Sequence, residues 1–130
     1  MNLFIYTDEL GVFDHINNDF FVFGGLIFQS KSKRDIETRK YLSVEKSIRR
    51  RCGLRSELKA CALSNKHKGQ LFRSMNAVVK FVVFINQKMI HERIFDHKKS
   101  KQRYLDYAYK IGLKRALLEL DSRGSICSTR

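Results

Sequence analysis

The run "FFVFGGLIF" at positions 20–28 constrains the fold of this 130-residue chain more than any other stretch. It is almost entirely apolar, which predicts a strand that is buried in a sheet. Gly24 and Gly25 interrupt the run, and glycine within a strand indicates a bulge or the close approach of another element. Residues 2–8 predict a first strand that pairs with it as an antiparallel ribbon. We expect that first strand to be central in the sheet.

The later elements follow from helical and strand periodicity. Four are predicted: a helix capped by Ser32 over residues 33–51, a short helix over 66–75, a buried strand over 77–86 and a long helix over 98–120. The resulting order, β-β-α-α-β-α, predicts one mixed α/β domain over residues 1–120, followed by a polar tail at 121–130.

Positive charge dominates the composition. Lys and Arg number 26 against 13 Asp and Glu, which gives a net charge of +13. Such a field attracts polyanions, so nucleic acid is the first candidate partner and an anionic membrane surface the second. The candidate phosphate contacts form two groups, for which solvated helix faces are the alternative interpretation: Arg39, Lys40, Arg49, Arg50, Arg51 and Arg55 in the first, and Lys98, Lys99 and Lys101 in the second. Lysines at a helix N-terminus oppose the helix dipole, and a bound anion would relieve this.

The apolar runs and the cysteines both favour a cytoplasmic protein. The longest apolar run, "AVVKFVVFI", is too short to span a bilayer and contains Lys80, and the N-terminus lacks the pattern of a signal peptide. Cys52, Cys61 and Cys127 are odd in number and lack framework spacing, which indicates reduced thiols. The spacing of Cys52, Cys61 and His67 matches no common zinc module. We therefore expect no membrane insertion and no zinc site.

The segment "YTDELG" at positions 6–11 places Asp8 and Glu9 side by side at the end of the first strand. A polar turn at a strand end is the simplest interpretation. The alternative is a metal site, because paired carboxylates on a central strand would be partly desolvated and would need a cation. Mg²⁺ prefers such oxygen ligands. Glu57, in "SELKA", is the best candidate for a third carboxylate because apolar residues flank its segment.

Four motifs in this order, "YTDELG", "VFGGLIF", "SELKA" and "VVKFVVFI", resemble the family called domain of unknown function 3800 over about positions 1–120. The resemblance implies an RNase H-like fold and a catalytic site in which Asp8, Glu9 and Glu57 hold Mg²⁺ or Mn²⁺. Family members carry Ser where this chain has Leu10, and a further strand after the long helix supplies another acid. Asp121 is the only carboxylate in that part of this chain, so the resemblance predicts a catalytic set that lacks one acid.

Three functions are therefore open. The first is metal-dependent hydrolysis of nucleic acid phosphodiesters, with Lys59 offsetting transition-state charge unless it is an ordinary surface lysine. The second is nucleic-acid binding without cleavage. The third is an interaction protein that forms a homodimer through the 98–120 helix, whose broad apolar surface needs cover. In that homodimer Tyr107, Ile111 and Leu118 would lie near the centre of the interface.

Overall fold

The computed structural model describes residues 2–123. It has a mixed α/β architecture, which confirms the predicted fold class at this level. The main elements are β1 (Phe4–Leu10), β2 (Phe20–Phe28), α1 (Lys31–Cys52), α2 (Asn65–Ser74), β3 (Val79–Asn86) and α3 (Lys98–Ser122), with short 3-10 turns at Ala60–Ala62, Gln87–Met89 and Glu92–Ile94. Each predicted helix and strand is present, with bounds that differ by no more than two residues.

The three strands form an antiparallel sheet in the order β1-β2-β3, so β2 is central and β1 lies at an edge. The expectation that β1 is central was wrong. Its residues from Tyr6 to Leu10 are exposed and include two carboxylates, whereas β2 is apolar and is buried or half-buried after its first residue. The glycines of β2 are explained by close approach, as predicted. A Cβ atom at Gly24 would lie 2.7 Å from the Phe81 carbonyl oxygen, and one at Gly25 would overlap the carbonyl oxygen of Tyr6.

Serine side chains cap the N-termini of α1 and α2. Ser30, not Ser32 as predicted, caps α1, because its Oγ accepts the Lys33 N–H at 3.1 Å. The C-terminus of α1 is closed by Gly53 with φ of 65°. In contrast, α3 begins after His97 without a side-chain cap.

The predicted tail at 121–130 was wrong at its start, because α3 runs on through Ser122 and includes Asp121. Its remainder, residues 124–130 with Cys127, lies outside the described residues. No helix within residues 2–123 has both the length and the apolar character needed to cross a membrane.

The chain divides into two compact units. Unit 1 comprises Leu26–Lys80 together with the start of β1 up to Ile5, and unit 2 comprises Tyr6–Gly25 and the chain from Phe81 onward. In unit 1, α1 packs against α2, and the buried apolar residues are Ile27, Phe28, Ile48, Leu71 and Val78. Glu45 of α1 is also buried, and its carboxylate pairs with Arg49 at 2.9 Å.

Unit 2 is built around aromatic rings. Phe23 of β2 is fully buried, and its ring centroid lies 4.0 Å from that of Tyr109 on α3. Phe13, from the loop after β1, stacks on Tyr104 at 5.6 Å and meets Phe21 edge to face. Such pairs add to the free energy of burial through favourable ring geometry. The side of α3 with Tyr104, Leu105, Ala108 and Tyr109 is therefore the one that covers this core.

Candidate functional site

Asp8 and Glu9 lie near the end of β1, in unit 2, and both side chains are exposed. The backbone N–H of Glu9 donates to Oδ1 of Asp8 at 2.9 Å. The sequence-based expectation that Asp8 is partly desolvated was wrong, because β1 is an edge strand whose end faces solvent. The two carboxylates are adjacent and accessible, so a ligand could reach them. Because solvent also reaches them, they do not need a bound cation.

Tyr109 of α3 belongs to the same region of unit 2. Its hydroxyl is close enough to the Glu9 carboxylate for the two groups to interact. Burial raises the pKa of Tyr109 above its usual value, and the nearby carboxylates of Glu9 and Asp8 raise the pKa further. Helical spacing alone predicts Tyr109 as one more apolar contact on α3, and the ring does pack on Phe23. Periodicity does not reveal that the hydroxyl interacts with Glu9.

Glu57 and Lys59 lie in unit 1, in the exposed loop between α1 and the Ala60–Ala62 turn. Neither side chain makes a hydrogen bond or ion pair with another described residue. Across residues 2–123, no three or more His, Cys, Asp or Glu side chains are grouped so that they could hold a metal ion. Binding of Mg²⁺ or Mn²⁺ by Asp8, Glu9 and Glu57 stays a prediction.

Two cysteines of unit 1, Cys52 and Cys61, are free thiols at the surface. Sγ of Cys52 lies 3.9 Å from Nδ1 of His67. Because a thiol is a weak donor and this distance is long, the contact adds little to stability.

The first basic group lies on unit 1 and divides into paired and unpaired side chains. Arg49 pairs with Glu45, and Lys40 Nζ contacts Glu37 Oε1 at 2.9 Å. Among the described residues, no carboxylate lies within ion-pair distance of the remaining four, all of which are exposed: Arg39, Arg50, Arg51 and Arg55. Cations in the last turn of α1 also suit the helix dipole, so Arg50 and Arg51 have a structural role beside any binding role.

The second basic group lies at the start of α3, in unit 2. The first turn of this helix contains no acidic residue and has no side-chain cap, while Lys98 and Lys99 are exposed. Lys101 is half-buried and contributes to a lowered pKa of Asp14, whose main cause is the hydrogen bond that the carboxylate accepts from the Ile16 N–H. Free helix N–H groups and cations at one helix end are suited to an anion.

Two cavities in unit 1 were not predicted from the sequence. A groove of about 650 Å³ is lined by six polar side chains: Arg39, Lys40, Arg73, Ser43, Ser74 and Asn76. A second cavity, of about 310 Å³, is lined by apolar and aromatic side chains: Leu26, Phe28, Tyr41, Met75 and Val78. Glu37 lines both cavities. Arg73, in the last turn of α2, is the residue from which the sequence could have indicated the groove. Nothing in its spacing, however, connects it to residues of α1.

The surface of α3 predicted to form a homodimer interface is partly exposed. Tyr107 and Leu118 have exposed fractions of 63% and 59%, whereas Ile111 is half-buried. The rest of the apolar side of the helix is used within unit 2, against Phe23 and Val83. The homodimer through the 98–120 helix stays a prediction, and the surface available to it is smaller than periodicity indicates.

Comparison with known proteins adds no relative. No family model, no curated protein and no solved structure matches this chain. The resemblance to the domain of unknown function 3800 family therefore rests on the four sequence motifs alone.

Proposed function

We propose that the protein binds nucleic acid through exposed, unneutralised basic side chains. The observation that carries the proposal is the group formed by Arg50, Arg51 and Arg55, which no carboxylate of the described chain neutralises, on a protein with a net charge of +13. Cations that are already paired gain little from a phosphate, because binding must first break the existing ion pair. Unpaired cations release counterions from the nucleic acid at once, and this release supplies much of the affinity.

The lysines at the start of α3 support the same function from unit 2. Lys98 and Lys99 stand at a helix N-terminus whose backbone N–H groups have no side-chain acceptor. A phosphate there would accept from the N–H groups and would offset the unfavourable interaction between the lysines and the helix dipole.

Metal-dependent cleavage is the second candidate, favoured by the adjacent, exposed carboxylates of Asp8 and Glu9. Oxygen donors of this kind suit Mg²⁺ or Mn²⁺, which use few protein carboxylates and keep several waters. A bound metal would activate water for attack on a phosphodiester. Tyr109 would position Glu9, because its hydroxyl interacts with that carboxylate. The motif resemblance to the domain of unknown function 3800 family, and the RNase H-like fold that it implies, support this candidate.

A cytoplasmic location belongs to the same proposal. Cys52 and Cys61 are free thiols on the surface, which suits a reducing compartment.

The test measures binding and cleavage together. The full chain is titrated into labelled single- and double-stranded DNA and RNA at low and moderate salt, with EDTA, Mg²⁺ or Mn²⁺. We expect binding in EDTA that weakens about a thousandfold as salt rises, if about six phosphates are contacted. Absence of binding to all four nucleic acids, or affinity that ignores salt, would overturn the proposal.

The same assay separates the two candidates. Products that appear only with Mg²⁺ or Mn²⁺, and that disappear in Asp8→Asn, establish cleavage. Asp106→Asn is the matched control, because Asp106 is an exposed carboxylate on α3 that holds only Gln102. Binding without products in any metal rejects cleavage and keeps the binding function. Equal loss of products in both variants rejects Asp8 as a ligand.

A further inference from the structure

The two cavities of unit 1 share one side chain, Glu37 of α1. Its Oε1 accepts from Lys40 Nζ at 2.9 Å, while its Oε2 is buried and has no hydrogen-bond partner among the described residues. A buried acceptor without a donor costs free energy. A ligand that places an N–H group against this carboxylate would supply the missing donor.

The smaller cavity is suited to a flat aromatic group. Phe28 and Tyr41 contribute rings, Met75 contributes a polarisable thioether, and Leu26 and Val78 complete an apolar lining. Aromatic and thioether groups bind the faces of heterocycles by stacking and dispersion. A volume of about 310 Å³ is at the lower end of small-ligand pockets and is large enough for a nucleobase.

The adjoining groove is suited to an anion. Arg39 and Arg73 are exposed cations without an ion pair in the described chain, and the Ser43 hydroxyl and the Asn76 amide can also donate. Lys40 is already held by Glu37 and so is less available. Cations along a groove can pair with the charged oxygens of a phosphate, and neutral donors can bind its other oxygens.

We propose that unit 1 holds one unstacked nucleotide of a single-stranded nucleic acid. The base occupies the apolar cavity with its N–H edge on Glu37, and its phosphate lies in the groove on Arg39 and Arg73. The inference rests on the proposed nucleic-acid binding and adds a strand preference and a base preference to it. A duplex is disfavoured because its bases are stacked and their N–H edges are paired.

The chemistry of Glu37 identifies the preferred base. A carboxylate only accepts hydrogen bonds, so it favours an edge that presents donors. Guanine presents two adjacent N–H donors, N1–H and the N2 amino group, on one edge. Inosine lacks the N2 amino group, and adenine presents an acceptor at N1. The expected order of affinity is therefore guanosine, then inosine, then adenosine.

The test uses labelled oligouridine strands that carry one guanosine, inosine or adenosine in the middle, and the guanosine strand paired as a duplex. Fluorescence anisotropy should show the guanosine strand binding about tenfold more tightly than the adenosine strand, because a hydrogen bond to a charged group is involved. Glu37→Gln should abolish this preference while salt-sensitive binding persists. Glu119→Gln, at an exposed acid, should leave the preference intact.

Arginine contacts are tested with a second matched pair on α2. Arg73→Ala should weaken binding of every single strand, whereas Lys68→Ala, at an exposed cation outside both cavities, should have a smaller effect. Equal effects of the two substitutions, equal affinity for the single strand and the duplex, or a guanosine preference that survives Glu37→Gln would overturn the inference. Salt-sensitive binding without any base preference would overturn this inference alone, whereas no binding at all would overturn the proposed function.

A measurement on the unaltered protein keeps the test valid if Glu37→Gln fails to fold. With ¹³C-labelled methionine methyl groups, guanosine monophosphate should shift the signal of Met75, which lines the apolar cavity. Met89 is 83% exposed and serves as an internal control that should not move. Equal shifts at both methyl groups, or none at Met75, would contradict occupancy of the cavity.

Discussion

Two glycines show how differently the units are packed. In unit 2, a Cβ atom at Gly112 of α3 would lie 2.7 Å from Val83 Cγ2 and 3.0 Å from the ring of Phe23. In unit 1, a Cβ atom at Gly69 of α2 would meet only the end of the Arg73 side chain, at 3.3 Å. The first position is bounded by the buried Phe23 ring and the half-buried Val83, and the second faces the end of a long, flexible side chain. Unit 2 thus has a tightly packed core at α3, while unit 1 retains adaptable surface where we place the nucleotide.

The largest expected effect is loss of the Phe23 ring. Phe23→Ala should lower the free energy of unfolding by about 3–5 kcal/mol, because it removes a fully buried ring packed on Tyr109. The matched substitution in unit 1, Ile48→Ala, removes a smaller buried side chain and should cost about 2–4 kcal/mol. Denaturant unfolding measures both. A smaller loss for Phe23→Ala than for Ile48→Ala would break the comparison between the units.

The next largest effect is a change in stability that differs in sign between alanine substitutions at the two glycines. Gly112→Ala should destabilise by about 1–2 kcal/mol, because the clash with Val83 and Phe23 exceeds the gain in helix propensity. Gly69→Ala should stabilise by up to about 1 kcal/mol, since Arg73 can move aside. The melting temperatures of the two variants test this difference. Destabilisation by both substitutions would show that unit 1 is as rigid at α2 as unit 2 is at α3.

The interaction between Tyr109 and Glu9 should make stability depend on pH in the alkaline range. The folded-state pKa of Tyr109 is raised, so its contribution to stability is complete below the unfolded-state pKa of about 10 and is lost as pH rises above that value. Tyr104 has a raised pKa through burial and acts in the same direction. Melting temperatures measured from neutral pH to pH of about 11 should fall less steeply in Tyr109→Phe than in the wild type. If the melting temperatures of the two proteins fall in parallel as pH rises, the Tyr109 hydroxyl does not contribute to the pH dependence of stability.

The smallest effect on stability is expected at the exposed side of α3. Replacing Tyr107 and Leu118 by serine should change the free energy of unfolding by less than about 1 kcal/mol, because both side chains are largely exposed. The pair should nevertheless convert the predicted homodimer to a monomer in light scattering at micromolar concentration. A wild-type protein that is already monomeric would reject self-association through this helix.

The positions of the main strands and of the long helix can be predicted from the sequence, because local sequence specifies them. The runs that became β2 and β3 are long and apolar, and the pattern that became α3 is strongly periodic, so local sequence specifies them. The neighbours of a strand are not specified in this way, which is why β1 was expected at the centre of the sheet and lies at its edge. Choosing between Ser30 and Ser32 as the cap required backbone angles that the sequence does not contain.

The candidate sites differ in the same way. The carboxylates Asp8 and Glu9 are adjacent in sequence, so a pattern can find them. The proposed nucleotide site joins Glu37 and Arg39 on α1 with Arg73 on α2, which the chain brings together only through helix packing. The Tyr109 hydroxyl was missed because its ring satisfies the apolar pattern by itself.

The central claim, that unpaired arginines of unit 1 bind phosphate, is tested most directly by a salt titration. The binding constant for a single-stranded oligonucleotide is measured over a range of salt concentrations for the wild type and for two triple variants with the same change in net charge. The first variant replaces Arg50, Arg51 and Arg55 by alanine, and the control replaces three exposed cations of α3, Lys110, Lys114 and Arg115.

We expect the slope of log affinity against log salt to become shallower by about 2 in the arginine variant, because about 0.7 counterion is released per phosphate of a single strand. The control variant should keep a slope close to that of the wild type. Circular dichroism confirms that α1 remains folded in both proteins. Equal slopes for the two variants would show that only net charge matters, and this would contradict a binding surface on unit 1.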